Sequence, residues 1–164
     1  MTQQLIILTG LPYCGKTTLA RALERTGAAV VELDHLNRER GFRIEDGVPM
    51  AEWPETIRQA EARISASSAD VVVLSWVNPS ERDRQRWRDF ASARGMRHLV
   101  VYVAADQELL DTRRSVAVAA PDRHILSDDV LQRVQRRFQP PTGALVLEAS
   151  WSTEKQLEVV TAAL

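Results

Sequence analysis

Between the apolar run LIIL (5–8) and a stretch that sets Leu19 and Leu23 on one helical face, the chain reads GLPYCGKT over residues 10–17. Every fixed position of the pattern G-x-x-x-x-G-K-[ST] is met, and the flanks make the segment a turn from a strand into a helix. In such a turn, Gly10 and Gly15 let backbone N–H groups curl around phosphate oxygens. Lys16 places a point charge on the outer phosphates, the Thr17 hydroxyl suits Mg²⁺, and the helix N-terminus favours anions. Leu11, Pro12, Tyr13 and Cys14 fill the unspecified positions and contribute backbone, with Thr18 following in the first helical turn. Tyr13 and Cys14 are bulky for this kind of loop, so both are expected to keep backbone angles open to non-glycine residues. Cys14, beside a lysine and a helix start, reads either as a redox-sensitive thiol or as a serine-sized filler.

Four more short apolar runs follow: AAVVEL (28–33), DVVVLSWV (70–77), HLVVYVAA (98–105) and ALVLEA (144–149). Continuous β-branched runs of this length suit strands buried on both faces of a parallel sheet. Helical stripes lie between them. Leu19 and Leu23 precede Gly27, a C′ residue; Ile57, Ala60 and Ile64 follow Trp53-Pro54; Trp87, Phe90 and Ala91 make a third stripe. Leu109 with Leu110, then Val130, Val134 and Phe138 before Pro140-Pro141, supply two more, and the box Thr153-Glu-Lys-Gln156 opens a last helix. Strands alternating with helices predict an α/β fold: a doubly wound, five-stranded parallel sheet with helices on both faces, in one domain over residues 1–164. Residues 35–53 are long for a connection after a strand and make a functional-loop candidate.

Composition narrows the class. Of the 21 basic residues all but Lys16 and Lys155 are arginine, so a lysine at the one position a phosphate loop requires is hard to assign to chance. A net charge of −1 argues against a broad nucleic-acid surface, leaving room for a local basic groove. The apolar runs fall far short of the roughly 20 residues that span a bilayer, and MTQQLIILTG lacks the basic start and cleavage site of a signal peptide. A soluble, cytoplasmic protein without membrane partners is expected, and a single cysteine agrees with that.

The remaining chain selects among phosphate-loop proteins. The N-K-x-D motif of guanine switches is absent, and the third run ends in Ser75 and Trp76 where ATPase motors carry acids. An acid does stand at the end of the second run: in VVELDHLNR, Asp34 lies at a strand's carboxyl end, where open α/β sheets bind ligands. A carboxylate there can take the proton of an attacking hydroxyl or hold a water on Mg²⁺; alternatively it caps the following helix. Glu32, inside the run, is the poorer candidate.

The segments IILTGLPYCGKTTLARAL, VVELDHLNR, SERDRQRWRDFA and LSDDVLQRVQRRFQPPT resemble those of small P-loop kinases of the nucleoside-monophosphate-kinase-like superfamily, in particular bacterial predicted kinases related to polynucleotide kinase and chloramphenicol phosphotransferase. The resemblance spans nearly the whole chain. It implies an ATP- and Mg²⁺-dependent kinase that phosphorylates a hydroxyl, with Asp34 as general base, Arg38 on substrate or phosphate, and arginines of a mobile lid closing over ATP. The lid maps to residues 109–126, offering Arg113 and Arg114 to the nucleotide and Arg123 to catalysis. Tyr13, in place of a middle glycine, and Ser75, in place of an acid, depart from the pattern.

Acceptor recognition is expected from residues 35–53, through Asn37, Arg38 and Arg43, and from Trp76, which faces the crevice if the third strand neighbours the first. The alternative fate of Trp76 is the core. Arg82, Arg84, Arg86 and Arg88 read as one solvated helical face. The leading expectation is an ATP-dependent phosphotransferase acting on a small metabolite or antibiotic; a polynucleotide 5′-hydroxyl kinase and a nucleotide-binding regulator without transfer activity are the alternatives.

Overall fold

The computed structural model describes residues 2–120 and 124–164. Its five strands, β1 (Gln4–Thr9), β2 (Ala29–Glu32), β3 (Val71–Ser75), β4 (Arg97–Ala104) and β5 (Leu145–Glu148), form one sheet in the order β2-β3-β1-β4-β5. Every pairing is parallel. The five apolar runs are these strands, and the alternation of their side chains builds two cores. Leu5 and Ile7 join Val72 and Leu74 on one face, while Ile6 and Leu8 join Val73 and Val101 on the other. Leu5 to Leu8 are wholly buried, each worth roughly 1.5–3 kcal/mol relative to exposure.

Helices cover both faces. α1 (Lys16–Arg25), α5 (Gln107–Val118) and α7 (Thr153–Ala162) bury Leu19, Leu110 and Val160 against the second face. α3 (Trp53–Ala66) and α4 (Glu81–Ala93) bury Ile64 and Trp87 against the first. α2 (Leu33–Glu39) and α6 (Asp128–Arg137) lie above the carboxyl edge of the sheet, where residues of both border the same cleft. The stretch 35–53 holds most of α2 and two 3₁₀ turns, Ile44–Asp46 and Met50–Glu52. No described helix is long and apolar enough to cross a membrane.

Two local expectations fail. The cap of α7 is Ser152, whose hydroxyl accepts from Lys155 N at 3.2 Å, so Thr153 is the first helical residue; the Gln156 amide donates instead to Glu148 O at 3.0 Å. The four arginines of α4 do not share a solvated face. Arg84 is 1% exposed, donating to Asn78 O at 2.9 Å and Gln139 O at 2.8 Å and pairing with Glu81. Arg88 also binds Glu81, whereas Arg82 and Arg86 line the cleft.

Arg84 matters because Asn78 knits the loop after β3 to the end of β1. Its amide donates to Leu8 O at 2.7 Å, and the Thr9 hydroxyl donates to Val77 O at 2.9 Å. Arg84→Met keeps the stem and strips the donors, so Asn78 O retains only the Thr9 hydroxyl at 3.1 Å and the part-buried Gln139 O loses its arginine. It should cost roughly 1–3 kcal/mol. Urea unfolding checks this: the midpoint falls at unchanged m-value, and an unchanged midpoint refutes the brace.

Candidate active site

Strand order fixes where the site lies. β1 runs between β3 and β4, so the turn after β1 opens at the carboxyl edge of the sheet, with β2 and β3 to one side. A cleft of about 1690 Å³ lies there. That exceeds the roughly 300–1,000 Å³ usual for a single small-molecule pocket and leaves room for two ligands side by side.

The loop itself is built around its glycines. A Cβ on Gly10 would meet Cys14 Sγ at 2.7 Å and Val103 O at 2.8 Å, so no larger residue fits. Gly15, at φ 104°, precedes α1 and offers no side-chain cap, leaving the first-turn N–H groups of the helix open to the cleft. Lys16 Nζ donates to Gly10 O at 2.7 Å and Leu11 O at 3.0 Å. Pro12, Thr17 and Thr18 line the cleft, while Leu11 packs into the core beside Cys14. The Cys14 thiol is 1% exposed, which favours the filler reading over the redox one.

Tyr13 overturns the expectation placed on it. Its φ is 70°, a left-handed conformation that costs a non-glycine residue roughly 1–2 kcal/mol. Its hydroxyl accepts from Leu126 N at 3.2 Å, which ties the phosphate loop to the segment following α5. That segment also reaches the far side of the cleft: Ser127 N donates to Glu45 O at 3.0 Å, and His124 contacts the Glu45 carboxylate. The cleft is thus roofed from the phosphate loop to the 3₁₀ turn at Ile44–Asp46.

The arginines expected in a lid behave differently. Much of residues 109–126 is helix α5, with Leu110 and Ala117 buried. Arg113 does not extend over the loop; it donates to Tyr13 O at 3.3 Å, Cys14 O at 2.7 Å and Ala149 O at 2.7 Å, bracing the loop from behind. Arg114 does not line the cleft; it binds Leu126 O at 3.2 Å and Asp128 at 2.6 Å. Arg123 lies outside the described residues.

On the acceptor side the expected residues separate. Asp34 and Arg38 line the cleft. Asn37 does not: it is fully buried, accepting from the Thr56 hydroxyl at 2.5 Å and joining α2 to α3. Arg43 is exposed and pairs with Asp46 at 3.2 Å. Trp76 is half-buried in the cleft wall and packs on Trp53, with ring centroids 4.7 Å apart. Sequence reasoning missed this partner, although Trp53 directly precedes the proline that starts α3.

Asp34 is not a helix cap; Glu32 holds that position in α2, and no side-chain cap bond is made. Its carboxylate accepts no hydrogen bond from the described residues. Burial raises its pKa above the ordinary 3.8, opposed by Arg38 and Lys16 and aided by the charge of Glu32. Glu32 also lines the cleft, opposite Ser75 in the β2–β3 register. A carboxylate therefore stands beside the position where Ser75 replaces one.

Strand order, glycine turn and lysine define a P-loop nucleotide-binding fold of the kinase type. The chain belongs to the AAA domain family, whose model matches residues 5–141. Adenylyl-sulfate kinase of Saccharomyces pastorianus is 30% identical over 112 residues, 65% of this chain and 55% of that protein. A nucleotide-binding protein of Syntrophotalea carbinolica is 29% identical over 167 residues, 94% of this chain and 50% of its own length. The chain thus spans about half the length of these curated relatives. A gluconokinase structure from Sinorhizobium meliloti superposes with TM-score 0.71 at 17% identity, covering 97% of this chain and 90% of that one. The Mycobacterium tuberculosis APS kinase in complex with AMPPNP and APS gives 0.69 at 20%, covering 98% and 96%.

The raised pKa of Asp34 makes a stability prediction. Below pH 3.8 the carboxyl is protonated in folded and unfolded chains alike and costs nothing. As pH rises past that value the unfolded chain ionises first, so stability falls until the folded carboxyl has ionised as well. Asp34→Asn should therefore be more stable than the parent at pH 7, with the gain shrinking toward pH 4 in thermal melts. A variant less stable at pH 7 would assign Asp34 a structural role.

Proposed function

We propose that the chain is an ATP-dependent phosphotransferase that moves the γ-phosphoryl group of ATP to a hydroxyl of a small molecule. One observation carries the reading: Lys16 of the glycine turn and the Asp34 carboxylate, which no described residue hydrogen-bonds, line one cleft large enough for two ligands. The matched family and the relatives named as kinases support it.

The loop suits a triphosphate. Its glycines bring backbone close, Lys16 neutralises charge, and the N-terminus of α1 adds a favourable dipole. Thr17 would ligate Mg²⁺, whose remaining partners would be phosphate oxygens and water, the ordinary mode for this ion. Among the described residues no group of three or more His, Cys, Asp or Glu side chains could hold a metal without the nucleotide.

In the step itself, Asp34 accepts the acceptor's hydroxyl proton as the oxygen bonds to the γ-phosphorus, and the bond to the β-phosphate oxygen breaks to release ADP. An elevated carboxyl pKa suits a base, because basicity rises with it. Lys16 stabilises charge on the transferring group. Arg38, whose Nε is buried without a partner, stands beside the same carboxylate and would orient the acceptor. Residues 1–164 would act as one kinase domain, with the segment after α5 serving as its lid and Arg123 within it.

Two variants separate the roles, once a screen of hydroxyl compounds for stimulated ADP release has supplied an acceptor. Lys16→Met should abolish transfer; unchanged turnover removes the phosphate-loop assignment. Asp34→Asn should keep ATP affinity within a few-fold and lower kcat by roughly 10² or more. ATP binding without acceptor-dependent ADP release across the screen would favour a regulator.

A further inference from the structure

We propose that the acceptor half of the cleft takes a small hydroxyl compound that joins a flat aromatic ring to an anionic group. This rests on the phosphotransferase reading and names its substrate class.

Topology sets the frame. α3 packs over β2, α4 over β1 and β4, and β3 lies between those strands, so the end of β3 opens into the gap between α3 and α4. Trp76 leaves β3 at that point, and Trp53 begins α3 beside it. Their rings are inclined at 42° and both border the cleft. The chain shows what a core tryptophan looks like by contrast: Trp87 is 1% exposed and packs edge-on against Phe90. Trp53 and Trp76 keep part of their surface toward the cleft, and Ile57 extends the apolar wall by one helical turn. Such a wall accepts a ring by stacking and apolar contact.

The charges around it differ from the arginines that brace the fold. Arg84, Arg88 and Arg58 are committed to Glu81 or Glu55, and Arg113 to backbone carbonyls. Arg82 and Arg86, four residues apart on α4 and facing the cleft, make no hydrogen bond or ion pair with any described residue. Arg38 adds a buried Nε without a partner. The carboxylates that α3 and α4 bring to the cleft are Glu61 and Asp83, and Asp83 is committed to Ser80 in the capping box of α4; Glu32, Asp34 and Asp46 line the cleft from β2, α2 and the 3₁₀ turn after it. Arg82 and Arg86, with Arg38 beside Asp34, are suited to phosphate, sulfate or carboxylate, which each fork binds through two oxygens.

The test is calorimetry with tryptophan fluorescence, in saturating non-hydrolysable ATP analogue, using adenosine 5′-monophosphate, phenyl phosphate, adenosine and ribose 5-phosphate as probes. The ring-plus-anion probes should bind about tenfold or more tighter than adenosine or ribose 5-phosphate and quench tryptophan emission. A preference for the mononucleotide over phenyl phosphate points to a nucleotide acceptor, the reverse to another aryl acid. Arg82→Gln with Arg86→Gln should reduce the mononucleotide to the affinity of adenosine, and Trp76→Leu to that of ribose 5-phosphate.

Equal binding of ribose 5-phosphate and the mononucleotide overturns the aromatic half of the proposal. Mononucleotide binding that is seen without the ATP analogue and lost at its saturation overturns the placement beside α3 and α4. Tighter binding of a short 5′-hydroxyl oligonucleotide replaces the small acceptor with nucleic acid. If the ATP analogue itself fails to bind, the phosphotransferase reading falls, and the four probes titrated alone still decide whether this half of the cleft prefers ring plus anion.

Discussion

A loop that turns its N–H groups toward an anion must turn carbonyl oxygens the other way, and those oxygens need donors once they face protein. Here two cations provide them. Lys16 holds Gly10 O and Leu11 O, and Arg113 holds Tyr13 O and Cys14 O. Because Arg113 sits on α5 and also binds Ala149 O past β5, the loop made by the first residues is held in shape by the last third of the chain. Arg113 therefore contributes to the phosphate site through the backbone it supports. Arg84 plays the same part on the opposite flank, fixing the loop after β3 against the end of β1.

The local costs gather at one edge of the sheet. Tyr13 adopts a left-handed conformation, Asp34 carries a carboxyl that burial disfavours in its charged form, and Arg38 buries an Nε donor with no acceptor among the described residues. Each is tolerable because the two cores beneath are continuous and β1 and β3 are buried along nearly their whole length. Such a division, with stability in the sheet and unfavourable arrangements at its carboxyl edge, is what catalysis commonly requires. Tyr13 recovers part of its cost through the hydroxyl contact with Leu126, which also makes the phosphate loop sensitive to the position of the cleft's roof.

Strands were legible because five β-branched runs of the right length have no other good interpretation, and the glycine-lysine turn fixed the first of them. α2 was not, since seven residues give no periodic stripe before a long irregular stretch. The α4 arginines were misread although the signal was present. At about 100° per residue, positions 82 and 86 lie close together, while 84 and 88 lie on the opposite side. One pair was bound to be buried or paired if the other faced a cleft. Asn37 and Arg43 show the limit of composition: polar residues in a predicted binding loop point wherever α2 and the 3₁₀ turns aim them, and only the packing of Thr56 and Asp46 decides.

For the proposed phosphotransferase, the same geometry would keep donor and acceptor chemistry apart. The phosphate half is assembled from β1, α1 and the brace from α5, all of it backbone and cations whose form is dictated by a triphosphate. The other half of the cleft is lined from α3, α4 and the edge of β3, by side chains such as the half-buried Trp53 and the exposed Arg82 and Arg86. Substitution of the exposed Arg82 and Arg86 disturbs neither the buried strands nor the loop's carbonyl contacts, whereas Trp53 and Trp76 also pack against the core. Asp34 lies where the two halves meet. With Lys16 on one side and Arg38 on the other, its proton affinity reports on both, and occupancy of either half by an anion would raise it further.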